Sequence, residues 1–246
     1  MRIRALAVCA IAALAIDCGG ASFFRQYEYE EEIFLSLDGS ETVSVNGSIA
    51  ALDALRGTAF EWQRGAPIER NAVRTYFTSP GVRVTALNQS RRSGRRFVHL
   101  RLDVDDITRL GSAPPFAWST YRFSREGDHF VYRQTIGAAA DRDVGNVGWR
   151  GRELVAFRLH LPSKIEDQNT GREIVRGNIL VWEQPLSDRL RGAPLTLDAT
   201  MQTQSILYRT LWLFGVTMVA VALVFVAVVW WVLRRGRVVE TSLAIK

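Results

Sequence analysis

Cysteine is nearly missing from this chain of 246 residues, which has only Cys9 and Cys18. Cys9 lies inside an N-terminal apolar run, so a processed chain keeps at most one thiol and forms no internal disulfide. No CxxC or Cys/His grouping offers a metal site. Lysine is almost as rare, with Lys164 and Lys246 set against 29 arginines, an imbalance that a coding preference for arginine explains better than anion binding. The three histidines, His99, His129 and His160, each fall at polar positions of strand-like segments, as solvated strand histidines do. HExxH, GxSxG and a phosphate-binding glycine loop ahead of a helix are all lacking. No catalytic residue, cofactor or metal is therefore assigned, and the chain is expected not to be an enzyme.

A basic domain is lacking too. The formal net charge is +6, yet residues 22–209 hold 25 basic and 23 acidic side chains. The excess sits in the tails, in Arg2, Arg4, Arg234, Arg235, Arg237 and Lys246, which argues against nucleic acid as a partner.

What the chain does have is one long apolar run. Residues 211–233 contain no charged side chain. As a helix at about 1.5 Å per residue they reach roughly 35 Å, enough to cross a hydrocarbon core of about 30 Å. Trp212, Trp230 and Trp231 sit near its two ends, where indole rings favour the headgroup boundary. At the other terminus, Arg2 and Arg4 precede an apolar run over residues 5–16 and a small-residue exit, the layout of a secretory signal over residues 1–21. Cleavage after Ala21 and lipidation of Cys18 are the two processing routes, with Asp17 unfavourable to the second. Export by the leader and the arginines after the anchor both place residues 22–210 outside the cytoplasm, with 234–246 as a cytoplasmic tail.

Between these ends, strand-like alternation recurs. Residues 27–37 carry Tyr27, Tyr29, Ile33, Leu35 and Leu37 on one parity, and residues 42–49 return after Asp38-Gly39 as a hairpin. Helices are expected over 50–56, ended by Gly57, and over 67–77. Residues 82–88 and 95–104 flank the tip RRSGRR; 119–124 pairs with 129–136; 154–161, 178–183 and 195–203 complete the strands. Residues 137–152 are expected to be irregular. The sum is an α+β domain over 22–204 with a largely antiparallel sheet and two or three short helices, then a short tether at 205–210 and one transmembrane helix.

Two polar clusters stand out. Asp103, Asp105 and Asp106 lack the ligand spacing of a calcium loop, and Asp105 is expected to cap a short helix. The tip residues Arg91, Arg92, Arg95 and Arg96 would present four guanidinium groups, a candidate contact for anionic lipid headgroups.

The segments IFLSLDGSETVSV, HLPSKI, RGNILVWE and LTLDATMQ, followed at once by the anchor, resemble the LppM-like group of bacterial envelope lipoproteins. Pro162-Ser163 stands where that pattern suggests Pro-Gly. The resemblance implies a bacterial, envelope-facing α+β module that handles lipid or glycolipid, and transfers no functional residue. The expected function is thus a non-enzymatic module on the cytoplasmic membrane, binding an amphiphile or another envelope protein. A membrane-tethered hydrolase with a dispersed site, built on His99 or His160, is the alternative.

Overall fold

The computed structural model describes residues 25–63, 65–172 and 178–243, with side chains up to 234. The leader, Cys18 and the last three residues of the C-terminal tail lie outside these residues. The fold is α+β, with two sheets, four short α-helices and one long apolar helix among the described residues.

β1 (Tyr27–Leu35) and β2 (Glu41–Ser48) form the first hairpin. Ser48 then caps α1 (Ile49–Arg56), its hydroxyl accepting from the Ala51 N–H at 3.0 Å, and Gly57 closes it in a left-handed conformation. α2 (Arg70–Phe77) starts later than its first-turn proline suggested. It lies along the edge strand β3 (Val82–Arg92), where Arg70 and Arg74 donate to the carbonyls of Leu87 and Val84 at 2.7 and 2.9 Å. Those bonds occupy edge carbonyls that would otherwise invite another strand.

β4 (Arg95–Val104) leads to α3 (Ile107–Leu110), capped by Asp106 rather than Asp105. Asp105 instead pairs with Arg83 at 3.1 Å. A 3₁₀ turn (Pro114–Phe116) precedes β5 (Ser119–Glu126) and β6 (His129–Ile136). β7 (Leu154–His160), β8 (Ser163–Gln168), β9 (Ile179–Pro185), α4 (Leu186–Leu190) and β10 (Leu195–Ser205) follow.

The larger sheet runs β3-β4-β2-β1-β7-β9 and is antiparallel except where β1 meets β7; the smaller, β5-β6-β10-β8, is antiparallel throughout. One face of the larger sheet, with Tyr29, Ile33, Val43, Val45, Leu100, Phe157 and Leu159, shares a core with Tyr132, Leu197, Ala199 and Met201 of the smaller. α1 is buried on nearly every side because the irregular segment 137–152 straps across it, packing Val144 against Ala50 and Ala54.

α5 (Ile206–Leu243) begins at the residue after β10 ends. The expected tether at 205–210 is therefore replaced by the last residue of a strand and the first turn of a helix, held by the Ile206 N–H donating to the Pro162 carbonyl at 3.1 Å. Within α5, Ile206–Arg234 is long and apolar enough to cross a membrane, and none of these described side chains belongs to the core.

Candidate functional site

The hairpin β3–β4 decides what the arginine tip can do. Its turn is only Ser93-Gly94, both with positive φ, so Arg91 pairs with Arg96 and Arg92 with Arg95 inside the ladder. Facing arginines repel unless each finds a partner. Arg95, 8% exposed, turns inward: its Nε donates to both oxygens of Glu28 at 3.1 Å and its Nη2 to Oε1 at 2.9 Å. Trp149 Nε1 also donates to Glu28, at 3.2 Å. Arg96, 7% exposed, donates to the carbonyls of Glu61 and Ala66 and so pins the loop that follows α1. Burial, then Arg91 beside it, lowers the Arg96 pKa. Arg92 donates to the Tyr27 carbonyl and lies 4.4 Å from the Phe97 ring centroid. Among the described residues only Arg91 of the four is exposed with no hydrogen bond or ion pair, so the expected four-guanidinium surface reduces there to one cation.

Strand direction also places this tip far from α5. Arg96 and Val104 are eight residues apart along β4, about 26 Å at 3.3 Å per residue. β7, parallel to β1, ends near Pro162 at the Val104 end, where α5 begins.

Next to the tip, residues 59–61 and 65–69 of the loop that follows α1 help to form two hollows. One, of about 400 Å³, is walled mainly by Ile49, Phe60, Pro67, Ile68, Ala72 and Val73. The other, of about 420 Å³, includes Gln89, Ser90, Arg91 and Arg96. They share Pro67 and Ile68, so a largely apolar cleft, with Glu61 and Glu69 also in its lining, adjoins one that holds Arg91. Both volumes lie within the range of small-molecule sites.

The histidines are paired rather than isolated. His99 Nε2 is 2.7 Å from Ser90 Oγ and its Nδ1 3.0 Å from Asn46 Oδ1, a Ser–His–Asn relay across β3, β4 and β2. Burial, then Arg92, lowers the His99 pKa, which keeps the ring neutral near pH 7. His160 meets Glu32 at 2.6 Å, and His129 meets Glu166 at 2.5 Å. Sequence reasoning missed Ser90 and Asn46 because the β2–β4 pairing skips over two helices and a strand. Among the described residues no group of three or more His, Cys, Asp or Glu side chains is placed to hold a metal.

The strongest electrostatic feature is buried between the sheets. Glu31 accepts from Tyr29 at 2.7 Å, Arg56 at 2.8 Å, Gln134 at 2.9 Å and Tyr121 at 3.0 Å. The Arg56 guanidinium is caged by Tyr29, Trp118 and Phe116 at 4.6, 4.7 and 5.0 Å. Burial pushes Glu31 up to about 7 and Arg56 down to about 10. The group is sealed and has no access for a ligand, so it is read as structural.

No protein-family model matches the sequence, and no curated protein does. Among solved structures, the chain is similar to the NMR structure of the folded domain of LppM from Mycobacterium tuberculosis. The identity is 12%, the alignment covers 74% of this chain and 94% of that one, and the TM-score is 0.39. The resemblance is diffuse and carries over neither a residue nor a ligand. What the fold defines is an α+β domain followed without a linker by a helix long and apolar enough to span a membrane.

Proposed function

We propose that this is a single-pass envelope protein whose exported domain, standing directly on α5, binds an anionic amphiphile at the end farthest from the helix. The observation that carries the proposal is the apolar cleft of about 400 Å³ joined at Pro67 and Ile68 to the hollow where Arg91 is free. An acyl or isoprenoid chain suits the first and an anionic head the second. The leader and the basic residues after Trp231 support an extracytoplasmic domain and a cytoplasmic C-terminus. In this reading the domain binds its ligand without transforming it and uses no cofactor.

Ala72 is exposed and lines the cleft, so Ala72→Trp obstructs it without entering the core. Titration with a fluorescent fatty acid should show affinity weakened about tenfold or more, a cost of about 1.4 kcal/mol, at an unchanged melting temperature. Equal affinity in the two proteins would contradict this site.

One observation favours a second activity, hydrolysis at Ser90. Its hydroxyl is bonded to a neutral histidine that Asn46 orients, the arrangement that activates a serine. A fluorophosphonate probe tests it: labelling lost in both Ser90→Ala and His99→Gln supports the hydrolase, and absence of labelling in the parent protein removes it.

A further inference from the structure

Ahead of α5, only two large apolar side chains among the described residues are well exposed, Phe34 and Ile179, each at 40%. They are not scattered. Phe34 of β1 pairs with His160 of β7, and His160 pairs with Ile179 of β9, so the three stand in one row across adjacent strands. The His160 ring stacks on Phe34 with centroids 4.0 Å apart, and its Nε2 is held by Glu32. The row lies at the end of the sheet where α5 starts. Two residues beyond His160, the Pro162 carbonyl accepts the Ile206 N–H, and Ser205 pairs with Ser163. Two residues and one hydrogen bond separate the row from the helix by roughly 10 Å.

That distance is close to the thickness of one headgroup layer, about 5–8 Å. Tyr208, Arg209 and Trp212 in the first turns of α5 are the residue types that settle at this boundary. Beside the row, a recess of about 650 Å³ opens between Phe34, His160, Pro162 and the Arg83–Asp105 pair. Its mixed charge suits a zwitterionic headgroup, next to two apolar side chains of the kind that dip below one.

We infer that the row Phe34, His160 and Ile179 is a membrane-contacting rim, seated in the headgroup–acyl boundary of the bilayer that α5 crosses. The inference rests on α5 spanning that bilayer. It fixes the domain's posture: the sheet stands on its β1–β7–β9 end, and the Arg91 cleft faces away from the lipid.

The test uses the full chain, with Cys9 and Cys18 replaced by serine, in liposomes of phosphatidylethanolamine and phosphatidylglycerol. A polarity-sensitive fluorophore is attached at Phe34→Cys, Ile179→Cys, Gln89→Cys or Ala220→Cys, and nitroxides are placed on headgroups or acyl chains. Labels at 34 and 179 should lose emission to headgroup nitroxides, the label at 220 to acyl-chain nitroxides, and the label at 89 to neither. If 34 and 179 behave like 89 while 220 is quenched, the rim is wrong and the anchor stands. If 220 is unquenched, the anchor fails and the rim with it. Quenching at 34 and 179 that depends on protein density instead of lipid nitroxide assigns the row to a second copy of the chain and overturns the inference.

Discussion

Replacing Glu31 by leucine should cost about 3–5 kcal/mol of stability, because it strips the counter-charge from a guanidinium that is itself fully buried. Arg56 then keeps only its aromatic cage, while Tyr121 and Gln134 each lose an acceptor. Urea unfolding of residues 22–205 reads the effect directly, since none of the described side chains of α5 lies in the core. The double replacement Glu31→Leu with Arg56→Met should be less damaging than the sum of the single ones, because the second removes the charge that the first leaves stranded. Strict additivity would mean that the two side chains do not act as a pair.

Glu41 should give the opposite sign. It is 5% exposed on the same interior, but neither of its oxygens has a hydrogen-bond partner. An unsatisfied buried polar group costs about 1–3 kcal/mol, so Glu41→Leu should raise stability by an amount of that order. Burial, followed by the nearby Glu31 and Asp106 charges, holds the Glu41 pKa well above its ordinary 4.5. A carboxyl raised in this way binds protons more readily folded than unfolded. Its contribution is complete below about pH 4.5 and is lost as pH rises through the folded value. Through Glu41 the parent domain should therefore lose stability as pH rises from acid, and Glu41→Leu should flatten that slope. A slope unchanged by the substitution would show that Glu41 ionises normally and has partners.

Much of the fold is legible in the residues because local signals agree. Alternation marks β1, β4, β7 and β10, Gly57 ends α1, and the uncharged run marks α5. Even Glu31 is visible as an acid in an otherwise apolar row, although its partners come from α1, β5 and β6. What is not legible depends on distance along the chain. The parallel β1–β7 pairing has no turn to announce it, and β8, reading SKIEDQ, is too polar to stand out from a loop. Arg95 and Arg96 read as a solvated tip because nothing local reveals that Glu28 and the carbonyls of Glu61 and Ala66 await them. The cleft is hidden for the same reason: Ile49, Phe60, Ile68 and Val73 come together only once Arg96 has pinned the loop.

Native mass spectrometry of residues 22–205, purified from a membrane-containing source, should detect an amphiphile in the proposed cleft as a lipid-sized adduct of anionic character that is lost in Ala72→Trp. A parent domain that is empty as purified, and that takes up no added acyl ligand, would contradict it and leave interaction with another envelope protein as the domain's role.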